Sequence, residues 1–135
     1  MNTATIVCIN CGKEHFVQKK HLSSAKYCSI TCQHEYQYKN RVAAWRSGKK
    51  VGTQVLKRFL SEQRKGCWEC GITEWNGKSI VLELEHIDGN SANNSESNLS
   101  LLCPNCHSQT ITYKNRNRGN GRHYRRVRYS EGKSY

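Results

Sequence analysis

Two cysteine pairs bracket the middle of the chain. One is Cys67-Trp68-Glu69-Cys70 and the other is Cys103-Pro104-Asn105-Cys106. Two C-x2-C pairs of this kind read as a single tetrahedral zinc site. If both pairs hold one ion, the chain must leave that point at Cys70 and return to it by Cys103. Glu85-His86, the turn signal Asp88-Gly89, Asn98 and His107 all lie within or beside the enclosed stretch. The site therefore brings His86, Asn98 and His107 together, although they are distant in sequence.

A second quartet precedes it, Cys8-x2-Cys11 and Cys28-x3-Cys32. Asn10 and Gly12 suit a tight knuckle in which backbone N–H groups approach the thiolates. Tyr27-Cys28-Ser29 is expected to end a short strand, with Ser29 capping a helix that carries Cys32, Tyr36 and Tyr38. His15, His21 and His34 are rival ligands, and surface histidine is the simpler reading for each. Four thiolates leave no open coordination position, so this finger is structural.

The hydrophobic fraction of the 135-residue chain is only 36%, against about 45–50% for ordinary globular domains. A core this thin needs staples, and eight cysteines can provide them. Met1 to Val7 has no apolar run after a basic start, so no secretory signal is expected. No apolar stretch approaches the length of a membrane span. A reducing cytoplasm is the expected compartment, and there paired cysteines favour Zn²⁺ over disulfides. Two structural zincs are therefore expected.

Lys and Arg number 22 against 10 Asp and Glu, a net charge of +12. Such a balance bears on partners, and nucleic acid is the usual polyanion. Residues 36–52 interleave Tyr36, Tyr38 and Trp45 with Lys39, Arg41, Arg46, Lys49 and Lys50, which suits a phosphate-and-base surface or a docked linker helix. Residues 53–66 read as a helix with an apolar stripe of Val55, Leu56, Phe59 and Leu60, Thr53 as N-cap and Gly66 just past its end. Lys57 and Arg58 decorate its outside. The last stretch carries Lys114, Arg116, Arg118, Arg122, Arg125 and Arg126, broken by Asn and Gly, and reads as a basic tail able to order on nucleic acid.

Between the central cysteine pairs, Ile80 to Ile87 reads as a strand with Ile80, Leu82 and Leu84 on one side and Glu83 and Glu85 on the other. A polar loop follows from Asp88 to Asn98. Leu99, Leu101 and Leu102 give a second strand, and Pro104 opens a helix expected to reach about Asn115. On residue types alone, Glu85 and His107 can hold one divalent cation beside His86, a hydrolytic arrangement. The alternative is that all three are polar residues around a structural zinc.

The run Leu84-Glu85-His86-Ile87-Asp88-Gly89-Asn90, followed by Asn98-Leu99-Ser100-Leu101-Leu102-Cys103-Pro104-Asn105-Cys106-His107, resembles the motif of HNH endonucleases, the ββα-metal nucleases of phages, restriction systems and colicins. The resemblance covers roughly 66 to 115. It implies a small zinc-stabilised α+β protein, a ββα-metal nuclease domain with an N-terminal four-cysteine zinc finger. The expected organisation is a zinc-finger module over 1–35, a basic linker and helix over 36–65, the nuclease domain over 66–118 and a basic tail over 119–135. It implies His86 as general base, Asn98 as the residue whose carbonyl orients His86, and His107 and Glu85 as ligands of a catalytic Mg²⁺ or Mn²⁺. Members usually carry Asp or His where this chain has Glu85. Ile111 stands where colicin-like members have a further histidine. The implied reaction is hydrolysis of double-stranded DNA to 5′-phosphate and 3′-hydroxyl ends by a nicking or homing-type phage enzyme. No membrane partner is implied, and a monomer is favoured over a dimer. The competing expectation is a non-catalytic zinc-finger protein that binds DNA or RNA.

Overall fold

The computed structural model describes residues 2–117, 127 and 130–132. Most of the basic tail expected over 119–135, including Arg122, Arg125 and Arg126, lies outside the described residues, as does Arg118. The chain forms two compact units, Met1–Val55 and Leu56–Tyr135.

The first unit opens with an antiparallel hairpin of β1 (Thr3–Val7) and β2 (Glu14–Gln18), paired from Thr3 with Gln18 to Val7 with Glu14. Its turn is the Cys8–Cys11 knuckle. The Cys8 N–H donates to the Lys13 carbonyl and the Gly12 N–H to the Cys8 carbonyl, with Gly12 at φ +72°. Helix α1 (Ile30–Arg46) begins as its sequence predicts, with the Ser29 hydroxyl accepting the Cys32 N–H at 3.1 Å. Tyr27 and Tyr36 pack ring to ring, and Lys39 Nζ donates to Asn10 Oδ1, so helix and knuckle are tied. The short strand expected at Tyr27–Ser29 is not formed. The chain there is irregular, because Ser29 is committed to the cap.

Only Cys8, Trp45 and Val55 are buried hydrophobics among the described residues of this unit. A two-stranded ribbon is marginal by itself, and no residue of this one is fully buried. Cross-linking at the thiol cluster is the available staple.

Helix α2 (Thr53–Gln63) buries Val55, Leu56, Phe59 and Leu60, the stripe expected from the i, i+4 spacing. Thr53 is its first residue rather than its cap, and the Gly52 carbonyl accepts the Val55 N–H. Gly66 follows at φ +73° and opens the second knuckle.

The second unit carries two hairpins, the first of which lies ahead of the strand expected over Ile80 to Ile87 and is not among the elements expected from the sequence. β3 (Glu74–Trp75) and β4 (Lys78–Ser79) turn through Asn76 and Gly77, both at positive φ. Asn-Gly is the strongest short hairpin signal in a sequence, and it accounts for this turn. β5 is confined to Glu83–His86 and pairs antiparallel with β6 (Leu99–Leu102), from Glu83 with Leu102 to His86 with Leu99. The intervening Ile80, Val81 and Leu82 are not strand. Ile80 and Leu82 pack on the buried cluster of Cys67, Leu102 and Cys103, while Val81 faces solvent.

Helix α3 (Pro104–Ser108) is shorter than expected. Gln109 closes it, Lys114 sits in the left-handed region at φ 46°, and a 3-10 turn occupies Lys114–Asn117. The Arg116 guanidinium donates to the carbonyls of Thr110 and Ser108 at 2.7 and 2.9 Å, holding the chain back toward the helix end. Helix α3 packs on both β5 and β6, giving the order strand, loop, strand, helix. Among the described residues no helix is long and apolar enough to cross a membrane.

Candidate active site and its thiol clusters

The eight cysteines form two groups, Cys8, Cys11, Cys28, Cys32 and Cys67, Cys70, Cys103, Cys106, with all sulfurs of a group within 4.8 Å of one another. The Cys11–Cys28, Cys28–Cys32 and Cys70–Cys103 sulfurs are 3.6, 3.4 and 3.8 Å apart. Tetrahedral zinc with Zn–S bonds of about 2.3 Å places its sulfurs about 3.8 Å apart. These spacings fit zinc, and no disulfide is formed. His15, His21 and His34 are not part of the first group.

Backbone donors prepare both clusters for a cation. Burial pushes the Cys8 thiol up, but the N–H groups of Cys11, Cys28 and Asn10 outweigh it and bring it down to about 6. At Cys67 burial is likewise outweighed by the N–H groups of Cys70, Cys103 and Glu69, again giving about 6. The thiols that hydrogen-bond to neighbouring sulfurs go the other way. Cys28, beside Cys32 and Cys11, and Cys106, beside Cys70 and partly desolvated, are pushed up to about 12. Without a metal each cluster gathers protons and charge unevenly, and a divalent cation removes that conflict.

The second cluster leads directly into the candidate site. Cys103 caps α3, its Sγ accepting the Cys106 N–H at 3.4 Å, and His107 follows Cys106. His107 Nε2 lies 2.8 Å from Glu85 Oε2. Its Nδ1 is hydrogen-bonded to Glu83 Oε2, and its ring meets Tyr113 edge-on with centroids 5.3 Å apart. Glu85 is 6% exposed and accepts a second hydrogen bond from the Thr112 hydroxyl. The expected polarity of β5 is thereby modified. Glu85 is buried while Leu84 is only half-buried, because this carboxylate has partners beneath it.

A carboxylate oxygen and an imidazole nitrogen 2.8 Å apart suit adjacent positions on one divalent ion. Octahedral Mg²⁺ with bonds of about 2.1 Å sets neighbouring donors about 3 Å apart. The residues present therefore fit a hard or borderline cation with its other positions open.

His86 is the last residue of β5, and its Nε2 lies 2.8 Å from Asn94 Oδ1. The ring contact expected from Asn98 is thus made by Asn94. Asn98, 9% exposed, turns its side chain into the loop. Its Oδ1 accepts the Asp88 N–H at 3.0 Å, and its Nδ2 donates to Asp88 Oδ1 and the Asn93 carbonyl at 2.9 and 2.8 Å. The Ile87 N–H reaches the Asn98 carbonyl. Asn98 therefore closes the loop that carries Asn94 to His86. Asp88 also accepts from Asn93 Nδ2 and the Asn90 N–H. Those bonds and the one from Asn98 hold its carboxyl below the ordinary range.

Glu83, Asn94, Thr112 and Tyr113 join the site without having been marked by the sequence motifs. Glu83 stands two residues before Glu85 on the same strand face, which is a readable signal. The other three are reached only through turns. Of the basic residues expected on nucleic acid, Arg58 is ion-paired with Glu62 at 2.9 Å and Arg116 is engaged on the Ser108 and Thr110 carbonyls. Lys57 is half-buried on α2. Lys114 Nζ lies 5.0 Å from the Tyr113 ring centre.

The chain is 42% identical over 90 residues to the H-N-H endonuclease F-TflIV of Escherichia phage T5. The match takes in 64% of this chain and 40% of the phage protein, so the chain spans well under half the length of that relative. No family model matches the chain, and no solved structure matches it.

Proposed function

We propose that this chain is a metal-dependent DNA endonuclease of the ββα-metal type, cutting duplex DNA by phosphodiester hydrolysis. The observation that carries the reading is the convergence of Glu85 Oε2 and His107 Nε2 at 2.8 Å beside a zinc-type thiol cluster, in a relative of an H-N-H endonuclease. His86 is the general base. A hydrogen bond between its Nε2 and Asn94 fixes the ring, so that the opposite nitrogen takes the proton of the attacking water. Asn98 keeps the loop closed behind it. Glu85 and His107 hold one Mg²⁺ or Mn²⁺, which supplies charge stabilisation to the phosphate and its leaving 3′ oxygen. The two four-cysteine groups hold structural Zn²⁺, and the module, linker, nuclease and tail boundaries at 35, 65 and 118 follow the residue patterns. Lys57, Arg58, Lys114, Arg116, Arg118, Arg122, Arg125 and Arg126 supply positive charge toward the phosphate backbone. One such site per chain makes a monomer a nicking enzyme, acting in a bacterium or a phage-infected cell.

The test is cleavage of supercoiled plasmid with Mg²⁺ or Mn²⁺ by wild type, His86→Ala and Glu85→Ala. Nicked circles from wild type, with either variant slower by at least about 100-fold, support the reading. Tight DNA binding with no cleavage under any divalent metal refutes it and leaves a zinc-finger DNA-binding protein. Equal rates for His86→Ala and wild type remove His86 as the base.

A further inference from the structure

Each of the two proposed cation ligands is gripped from behind by a group that faces away from the cation. Glu83 and Glu85 stand two residues apart in β5, opposite Leu102 and Ser100 of β6, and so share one face of the ribbon. His107 lies between their carboxylates, with Glu83 on Nδ1 and Glu85 on Nε2. The two nitrogens point to opposite sides of an imidazole ring. A carboxylate bonded at Nδ1 cannot also reach an ion bound at Nε2. On the other ligand, the Thr112 hydroxyl takes Glu85 Oε1 and leaves Oε2 turned to His107.

We propose that Glu83 and Thr112 are positioning residues for the divalent cation. Glu83 accepts the Nδ1–H of His107, which fixes the tautomer and directs the Nε2 lone pair at the ion. Thr112 fixes the rotation of the Glu85 carboxylate. The inference rests on the reading of Glu85 and His107 as the ligand pair. Two features separate these residues from ligands. Glu83 has a side chain 45% exposed, against 8% for Glu85, and Thr112 is uncharged. A neutral acceptor at 83 and any hydroxyl at 112 should therefore serve.

The experiment uses the full, zinc-loaded chain and reads Mn²⁺ affinity by titration calorimetry. The His107 tautomer is read by long-range proton–nitrogen NMR in the Mn²⁺-free protein. Glu83→Ala and Thr112→Val should each weaken Mn²⁺ binding by about 10–100-fold, the usual loss when a partner behind a ligand is removed. Glu83→Gln and Thr112→Ser should recover most of that loss, because Gln retains an acceptor oxygen and Ser a hydroxyl. The Nδ1–H tautomer should persist in Glu83→Gln and be lost in Glu83→Ala. Far-UV circular dichroism confirms that each variant folds. Wild-type affinity and tautomer in Glu83→Ala would overturn the inference. So would a Glu83→Gln variant as damaged as Glu85→Ala, since that marks Glu83 as a ligand. If wild type itself binds Mn²⁺ no better than Glu85→Ala, the ligand pair fails and the inference falls with it. If Glu85→Ala abolishes binding while Glu83→Ala and Thr112→Val leave it intact, only the inference falls.

Discussion

Replacing Gly66 by alanine should damage the second knuckle far more than the same change at Gly71. Both glycines sit in the left-handed region, at φ +73° and +76°. That conformation costs an alanine about 1–2 kcal/mol, offset by about 0.4–1 kcal/mol from a stiffer unfolded chain. At Gly71 nothing lies within 4 Å of the added Cβ, so Gly71→Ala should cost about 0–1.6 kcal/mol by these figures. At Gly66 the added carbon would lie 2.8 Å from the carbonyl oxygens of both Gly71 and Ile72 and 2.9 Å from Thr73 Cγ2. Two of these obstacles are backbone, and both residues bear on the thiol cluster. The Ile72 carbonyl accepts the Cys67 N–H at 2.9 Å, and the Gly71 N–H donates to the Cys67 carbonyl at 2.8 Å. Relief of the clash must shift the knuckle that sets Cys67 and Cys70. Overpacking of this kind adds about 1–3 kcal/mol, which takes Gly66→Ala to about 1–4.6 kcal/mol. For a unit of this size each 1 kcal/mol moves the melting temperature by about 4–8 °C. Thermal melts of the zinc-loaded chain should therefore separate the two variants by at least about 4 °C, with Gly66→Ala releasing zinc earlier to a chromogenic chelator. Equal melting temperatures would refute the steric reasoning and leave backbone conformation as the whole effect.

Asn94→Ala removes the partner of His86 while leaving Asn98 and its loop bonds in place. Single-turnover plasmid nicking should slow by about 10–100-fold, the scale on which a misplaced catalytic group loses rate, with DNA binding unchanged. Asp88 contributes a pH-dependent stability. Asn93, the Asn90 N–H and Asn98 depress its carboxyl below the ordinary value of 3.8, so the contribution is fully present above that value and is lost as pH falls through the lower folded value. Urea midpoints measured from pH 7 down to 2 should fall less steeply for Asp88→Asn than for wild type. Removal of zinc by a strong chelator should abolish the cooperative melt of the second unit, because two of the three residues in the buried cluster of Cys67, Leu102 and Cys103 belong to the zinc-type thiol group.

The thiol clusters, the Ser29 cap, the α2 stripe and the β6 strand were legible because each rests on local spacing that nothing distant overrides. Glu85 shows where that legibility ends. Alternation places a charged residue outward unless something waits for it inside. The two groups that wait, His107 and Thr112, lie 22 and 27 residues away along the chain. Helix α3 fails for a related reason. Its sequence permits a longer helix, yet Arg116 folds the chain back onto the Ser108 and Thr110 carbonyls and brings Thr112 to Glu85. Asn98 was legible as a residue and not as a set of bonds, since pairing of His86 with Leu99 turns its side chain into the loop and leaves the ring to Asn94.

The two kinds of metal site are coupled through α3. Five residues are too few for a helix to persist by itself, so His107 does not inherit its position from helix propensity. It inherits it from Cys103, whose sulfur caps the helix, and from Cys106, the adjoining residue in the same thiol group. Glu85 is placed independently, by the pairing of β5 with β6. Loss of the thiol-bound ion should therefore release one proposed cation ligand and leave the other. Binding of a divalent cation at Glu85 and His107 should in turn oppose that release, because it ties α3 to β5. The linkage is reciprocal: Mn²⁺ should raise zinc affinity, read by equilibrium competition with a chelator, by the same factor by which zinc raises Mn²⁺ affinity. Glu85→Ala should erase that gain. A gain that survives in Glu85→Ala would mean the coupling does not run through this ligand pair.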